Sequence, residues 1–238
     1  MENKIFLLGV GFNNLKIKDV LELIIKGLVK NEEKCYVVTP NPEILVLADS
    51  DSNYKKVLNG AKLALPDGIG VMIASKLLST PLKDRIHGVD LMEDLCKEVS
   101  KQPITVGFLG AGPHVAELTA DCLREKYPGL KVNFTEEEWN FEKKYPKTDI
   151  LFVAFGSPKQ EIWIAENLSR IPIRVAIGVG GAFDFISGKV RRAPVFVRKL
   201  GLEWLFRLII EPWRIKRQLR LIKFIFLVCE EKFQIKMV

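Results

Sequence analysis

Short apolar runs alternate with amphipathic stretches along most of this 238-residue chain, and this alternation restricts the folds open to it. The apolar runs predict strands at residues 4–10, 35–38, 61–65, 104–109, 130–134, 150–154 and 173–177. The stretches between them predict helices, including residues 17–28, 42–48, 91–99, 113–127 and 158–168. Strands that alternate with helices form a largely parallel sheet covered on both faces, so we predict an α/β fold.

Ligands in such folds bind beyond the carboxyl ends of the strands. Five turns at predicted strand ends carry small or polar residues: Thr39-Pro40-Asn41, Pro66-Asp67-Gly68, Gly110-Ala111-Gly112, Phe155-Gly156-Ser157 and the glycine-rich turn at 178–181, which includes Gly180. These turns are the candidate binding site.

Each turn has a functional and a purely structural interpretation. The Gly110–Gly112 turn can bring backbone N–H groups and a helix N-terminus to a diphosphate, or it can be a plain tight turn. Asp67 can act as a catalytic carboxylate or cap the next helix. Thr39 and Asn41, stiffened by flanking prolines, suit a pocket or a structural turn equally. Arg85 can bind phosphate or lie free on the surface.

The sequence predicts no metal centre and no disulfide framework. The two histidines, His87 and His114, lack paired ligand spacing, and the four cysteines are far apart, which suits a reducing compartment. Asp49-Ser50-Asp51 looks like the DxD motif that holds a metal and a sugar diphosphate. It closes a predicted helix instead of following a strand, so we interpret it as solvated or as part of the next helix cap.

The chain changes character after Pro194. Residues 195–210 predict a mostly apolar helix, Glu211-Pro212 interrupts it, and a basic helix follows. From residue 195 onward there are ten Lys or Arg residues and four acids, which is nearly the whole excess of the +7 net charge. We therefore predict a core at residues 1–194 and a helical appendage at 195–238 that binds nucleic acid or an anionic membrane.

The appendage has the pattern of a helix that lies in a membrane interface. Ile215, Leu219, Ile222 and Phe226 form one apolar stripe at helical spacing. The cations of the same stretch form a neighbouring basic face: Arg214, Lys216, Arg217, Arg220 and Lys223. The alternative is that the stripe packs on the core or on a second copy of the chain.

Five segments together resemble the WecG/TagA/CpsF glycosyltransferase family, and most strongly its teichoic-acid branch, TagA. They are TPNPEILVLADSDSNYKKVLNGAKLALPDGIGV, RIHGVDLMEDL, FVAFGSPKQEIWI, GVGGAFDFISGKVRRAP and GLEWLFRLIIEPWR. The resemblance covers nearly the whole chain. It implies a Rossmann-like fold and an inverting transfer of N-acetylmannosamine from UDP to undecaprenyl-diphosphate-linked N-acetylglucosamine, which builds the wall teichoic acid linkage unit.

The resemblance also implies roles for individual residues. The family's proposed base matches Asp67, its pocket residues match Thr39 and Asn41, and its nearby arginine matches Arg85. Gln160 stands in the family's GxPxQE pattern. With no convincing metal site, we expect a metal-independent reaction on the inner face of the cell membrane. We expect Arg214, Arg217 and Arg220 to meet the membrane or the lipid diphosphate.

Three alternatives remain open from the sequence. A family member can use another UDP-sugar, such as the uronate form, to build capsule or surface antigen. A nicotinamide-dependent oxidoreductase shares the fold class, and Glu136 would then bind the ribose. A nucleic-acid binding protein would use the tail's interleaved cations and aromatic residues, Trp213, Phe224 and Phe226.

Overall fold

The structure, a computed structural model, describes residues 4–30 and 33–237. The strands are β1 (Lys4–Leu7), β2 (Val10–Asn13), β3 (Cys35–Val38), β4 (Leu63–Ala64), β5 (Thr105–Gly110), β6 (Lys131–Glu136), β7 (Thr148–Ala154) and β8 (Ile173–Gly178). The helices of the first half are α1 (Ile17–Val29), α2 (Pro42–Ser50), α3 (Ser52–Gly60), α4 (Ile69–Leu77), α5 (Gly88–Val99) and α6 (Val115–Lys126). Those of the second half are α7 (Lys159–Asn167), α8 (Ala182–Ile186), α9 (Val195–Lys199), α10 (Glu203–Ile210) and α11 (Ile215–Met237), with a 3₁₀ turn at Pro212–Arg214 between the last two.

Six strands form one parallel sheet in the order β4-β3-β8-β7-β5-β6. This confirms the predicted α/β fold. Strand β3 lies between β4 and β8, and its Val37 pairs with Leu63 on one side and Ile177 on the other. Because all six strands run the same way, their carboxyl ends meet at one edge of the sheet.

The sheet is apolar on both faces because successive strand residues point to opposite sides. In β7, Ile150 and Phe152 pack with helices α1, α5 and α6, whereas Leu151 and Val153 face the side covered by α7. All four side chains are fully buried. This is the continuous apolar strand typical of a parallel sheet with helices on both faces.

The predicted single strand at residues 4–10 is wrong. The chain instead forms an antiparallel hairpin of β1 and β2, outside the main sheet. Leu8 and Gly9 form its two-residue turn with φ of 52° and 75°. Positive φ at both turn residues matches the twist of the flanking strands and closes such a hairpin.

The predicted continuous helix at residues 195–210 is also wrong. It divides into α9 and α10 at Gly201, which has a φ of 76°. Two backbone hydrogen bonds close the end of α9, from Gly201 N to Arg198 O and from Leu202 N to Val197 O. A left-handed residue followed by such bonds is a common helix end, and glycine adopts it without strain.

Helix α11 packs along α2 on the same side as the hairpin. Phe224 and Val228 are buried there in one apolar cluster with residues of α2, α3 and β1–β2. Near the end of the chain, the Glu231 carboxylate accepts hydrogen bonds from the backbone N of Leu8 at 3.1 and 3.2 Å. The boundary at residue 194 stays a prediction, and the part beyond it is joined to the core by packing and hydrogen bonds.

Candidate active site

A cavity of about 820 Å³ lies at the carboxyl edge of the sheet. Turns that follow five neighbouring strands line it, together with residues of α10 and α11. The predicted site residues that line it are Thr39, Asn41, Asp67, Arg85, Ala111, Gly112, Gly156, Ser157, Gln160, Gly180, Arg214 and Arg217. Gly110 and Arg220 do not line it. The structure therefore brings together residues that are far apart in sequence.

Asp67 lies in a turn that backbone hydrogen bonds join to two other segments of the chain. Its N–H donates to the carbonyl of Pro40 at 3.0 Å, and Ile86 N donates to the carbonyl of Pro66 at 2.8 Å. Gly68 follows with a φ of 83°, which lets the chain turn from β4 into α4. The Asp67 side chain keeps 23% of its surface exposed, so its carboxylate is accessible from the cavity.

His87 contacts this carboxylate and was missed as a site residue. Its Nδ1 lies 2.6 Å from Oδ1 of Asp67, and its Nε2 lies 3.9 Å from Oε2 of Glu203. Burial lowers the pKa of His87, but the negative charges of Asp67 and Glu203 outweigh burial and the opposing Arg85, so the pKa is raised. From the sequence, this histidine is considered only as a metal ligand, although the RIHG segment places it two residues after Arg85.

Thr39 and Asn41 line the cavity, and the side chain of each also contacts a backbone group. The Thr39 hydroxyl lies 3.4 Å from the carbonyl oxygen of Gly178 on the neighbouring strand. The Asn41 side chain accepts a hydrogen bond from Ile44 N at 3.0 Å and caps α2. Asn41 therefore has a structural part as the N-cap of α2, and a role in substrate binding stays a prediction.

Gln160 is almost fully buried, and its side chain forms hydrogen bonds that link two turns of the cavity wall. Its Oε1 accepts a hydrogen bond from Gly180 N at 3.1 Å, and its Nε2 donates to Glu161 at 2.7 Å. The buried Glu161 carboxylate also accepts from Ser157 Oγ at 2.7 Å and from Tyr54 Oη at 2.9 Å. Burial, followed by the Glu161 charge, raises the pKa of Tyr54, which therefore stays a neutral donor. This network fixes the two turns that carry Ser157 and Gly180.

Two of the predicted glycines leave open space at the cavity surface. Gly156 and Gly180 have φ of 76° and 54°, and a Cβ at either would meet nothing within 4 Å. Gly110 is different, because a Cβ there would lie 2.9 Å from the carbonyl carbon of Ala154. The first two can admit a ligand close to the backbone, whereas Gly110 is required by packing between β5 and β7.

Arginines from the C-terminal segment also line the cavity. Arg207 and Arg214 share the buried carboxylate of Glu211, with Nε–Oε2 distances of 2.6 and 2.8 Å. Burial, with the neighbouring positive charge of Arg207, lowers the pKa of Arg214. One terminal nitrogen of Arg207, Nη2, is buried and has no hydrogen-bond partner among the described residues. Asp184 Oδ2 lies 3.9 Å from this nitrogen, so the two arginines face two carboxylates, and Nη2 still has hydrogen-bonding capacity that no described residue uses.

The other predicted arginines are paired with protein groups. Arg217 and Arg220 of α11 both contact the Glu43 carboxylate of α2, with Arg217 Nε at 3.0 Å. Arg85 donates from Nη2 to the carbonyl of Arg198 at 2.8 Å and so joins the Asp67 side of the cavity to α9. Binding of lipid diphosphate by Arg214, Arg217 and Arg220 stays a prediction.

The acids of the DxD-like segment and Glu136 are not among the described residues that line this cavity. Asp51 caps α3 through hydrogen bonds to Asn53 N and Tyr54 N, and Asp49 pairs with Lys223 at 3.6 Å. Within residues 4–30 and 33–237, no group of three His, Cys, Asp or Glu residues could hold a metal ion. Glu136 ends β6 and contacts Lys143, away from the cavity.

Comparison with known proteins identifies relatives along nearly the whole chain. The model of the Glycosyl transferase WecG/TagA/CpsF family matches residues 5–237. A Bacillus spizizenii protein is 37% identical over 197 residues, which is 80% of this chain and 77% of that protein. A Bacillus subtilis protein is 32% identical, covering 94% of this chain and 90% of that protein. A Staphylococcus aureus protein is 33% identical, covering 98% and 95%. All three are named N-acetylglucosaminyldiphosphoundecaprenol N-acetyl-beta-D-mannosaminyltransferase.

Proposed function

The chain belongs to the WecG/TagA/CpsF glycosyltransferase family, and we propose that it transfers N-acetylmannosamine from UDP to undecaprenyl-diphosphate-linked N-acetylglucosamine. The product is the β-1,4-linked disaccharide of the wall teichoic acid linkage unit. One observation carries this proposal within the structure: an accessible carboxylate, Asp67, lines the same cavity as two buried or half-buried arginines, Arg207 and Arg214. This arrangement suits attack by a hydroxyl and departure of a diphosphate.

Asp67 acts as the general base in this proposal. The acceptor hydroxyl has a pKa far above neutral, so a base must take its proton as the oxygen attacks the anomeric carbon. A single displacement inverts that carbon and needs only one carboxylate, provided that the leaving group needs no proton. UDP meets that condition when its developing charge is stabilised.

Arg207 and Arg214 stabilise the departing diphosphate. Both contact the Glu211 carboxylate, and Nη2 of Arg207 lies 3.9 Å from Asp184 but donates no hydrogen bond to any described residue. Preorganised donors of this kind act most strongly in a site that excludes water. Because these cations can carry out the task that a metal performs in many transferases, we propose a metal-independent reaction.

The enzyme works as a peripheral protein on the inner face of the cell membrane in this proposal. In the described part of the chain, no helix is long and apolar enough to cross a bilayer. The predicted stripe of α11 does not pack on the core, since Ile215, Leu219, Ile222 and Phe226 are 54 to 70% exposed. Trp213 is 72% exposed beside them. An exposed apolar helix face with an aromatic residue suits a bilayer interface.

The cations of α11 contribute less to membrane binding than the same number of unpaired cations would. Arg214, Arg217, Arg220 and Lys223 each contact a carboxylate of the protein. The side chain of Lys216 lies outside the described residues. Apolar insertion therefore provides most of the affinity. The same exposed surface could pair two copies of the chain, but a lipid-linked acceptor that stays in the bilayer favours the membrane.

A turnover assay with a panel of UDP-sugars and a synthetic undecaprenyl-diphosphate N-acetylglucosamine acceptor tests the proposal. We expect transfer from UDP-N-acetylmannosamine and at least tenfold less from its uronate. Preference for the uronate would identify a different branch of the family. Binding of NAD in place of UDP in a thermal-shift assay, or binding of DNA in place of anionic vesicles, would refute the transferase assignment.

A further inference from the structure

His87 lies between carboxylates of two distant parts of the chain. Asp67 belongs to the turn after β4, and Glu203 begins α10 in the C-terminal segment. Arg192 donates a hydrogen bond from Nε to Oε1 of Glu203 at 3.3 Å. Its two terminal nitrogens donate to the Asp90 carboxylate of α5 at 2.6 and 2.8 Å. The imidazole is mostly buried, with 17% of its side-chain surface exposed.

We propose that His87 is a positioning residue that orients the Asp67 base through Nδ1, and that Glu203 controls whether its other nitrogen carries a proton. This inference rests on the proposed function, because it assigns to His87 a part in the same proton transfer. It adds a residue of the C-terminal segment to the group that governs the base.

The geometry fixes the positions of the protons. An ionised carboxylate only accepts hydrogen bonds, so the 2.6 Å contact requires a proton on Nδ1. Nε2 is then the nitrogen that titrates. It is buried and has no hydrogen-bond partner among the described residues, so no acceptor hydroxyl can reach it. His87 is therefore unsuited to be the base itself. It holds Oδ1, and Oδ2 of Asp67, which contacts no other described side chain, can then take the proton.

The surrounding charges determine how His87 responds to pH. Asp67 and Glu203 favour its protonated form, and Arg85 and burial oppose it, with a raised pKa as the net result. Asp90 also interacts with His87 electrostatically, and its own charge is largely met by Arg192. A proton on Nε2 places a positive charge beside Asp67, which makes transfer of the hydroxyl proton to that carboxylate less favourable. Activity should therefore fall as the pH drops through the pKa of His87.

Nuclear magnetic resonance of the imidazole nitrogens tests the inference without any turnover. The chain has two histidines, and His114→Gln removes the exposed one, so the remaining signal belongs to His87. In this background we expect neutral His87 to carry its proton on Nδ1, the less common tautomer. Glu203→Gln should lower the titration midpoint by about one pH unit, the usual effect of losing an opposite charge at this range. A proton on Nε2 in the neutral form, or an unchanged midpoint, would overturn the inference.

Kinetics provide the second measurement. The acidic limb of kcat/KM should coincide with the His87 midpoint and move to lower pH in Glu203→Gln. His87→Asn, whose amide can still donate to Asp67 but does not titrate in this range, should lose that limb and retain at least tenfold more turnover than His87→Ala. Equal losses in the two His87 variants would leave only a structural role and refute the positioning role. If the wild type transfers no sugar while the resonance results hold, the proposed function fails and the arrangement around His87 stands.

Discussion

Replacing Asp67 by asparagine tests the proposed base with little change in shape. His87 donates from Nδ1 to Oδ1 of Asp67 at 2.6 Å, and the amide oxygen of asparagine can accept the same bond. The amide nitrogen then takes the place of Oδ2. It cannot accept the hydroxyl proton, so the variant removes the chemistry and keeps the geometry.

The expected loss of turnover in Asp67→Asn is the contribution of the base alone, because the variant keeps the shape of the side chain. A positioned general base contributes about 10²- to 10⁴-fold to the rate. At about 1.4 kcal/mol for each tenfold, this corresponds to about 3 to 5.5 kcal/mol of transition-state stabilisation. UDP should bind to Asp67→Asn with nearly unchanged affinity, because the arginines proposed to bind the diphosphate, Arg207 and Arg214, contact Asp184 and Glu211 and not Asp67.

Turnover with the lipid-linked acceptor measures the loss, and calorimetry measures UDP binding. The matched control is Asp51→Asn, an equally conservative change that retains the helix cap of α3, since asparagine caps as well as aspartate. It should keep wild-type turnover. Near wild-type turnover in Asp67→Asn would refute the base assignment, and a large loss in Asp51→Asn would revive the DxD motif as a metal site.

Three further results are expected. Phe224→Ala should lower the free energy of unfolding, measured with denaturant, by about 3 to 5 kcal/mol, because it leaves a cavity in the core. Phe226→Ala should change this free energy by less than about 0.5 kcal/mol and should instead weaken binding to vesicles, because Phe226 is exposed. Equal effects of the two variants on stability would contradict the placement of α11. Raising NaCl from about 0.1 to 0.5 M should weaken binding to anionic vesicles by less than tenfold, because the described basic side chains between residues 214 and 223 are paired with carboxylates of the protein. If five cations instead contacted the lipids at about 1 kcal/mol each, the loss of affinity would be far larger. A metal chelator should leave turnover unchanged, and loss of activity restored by a divalent cation would contradict the metal-independent reaction.

The exposed surface and the core-facing surface of α11 show how much the sequence pattern predicts. The spacing of Ile215, Leu219, Ile222 and Phe226 predicts a stripe on one side of the helix, and the structure leaves those side chains exposed. The sequence does not indicate that Phe224 and Val228 form the buried face, because both faces of this helix are apolar. The basic face turns toward α2, since Glu43 is available there to pair with Arg217 and Arg220.

Two elements show where local patterns fail. The hairpin of β1 and β2 has the composition of one strand, and only the positive φ of Leu8 and Gly9 separates it into two. The break between α9 and α10 depends on Gly201, where a Cβ would lie 2.8 Å from Ile69 of α4. A glycine inside a helical pattern is ambiguous until the neighbouring element is known.

The sequence by itself determined the α/β fold, the edge of the sheet where the site lies, and the family to which the chain belongs. These follow from periodicity and from motifs, which are properties of neighbouring residues. Only the tertiary structure decided which side chains meet at the cavity: His87 with Asp67 and Glu203, and Arg217 with Glu43. Ion pairs and hydrogen bonds depend on distances of a few ångströms between residues that are tens to hundreds of positions apart. Local sequence patterns contain no information about those distances, because the packing of sheet and helices sets them.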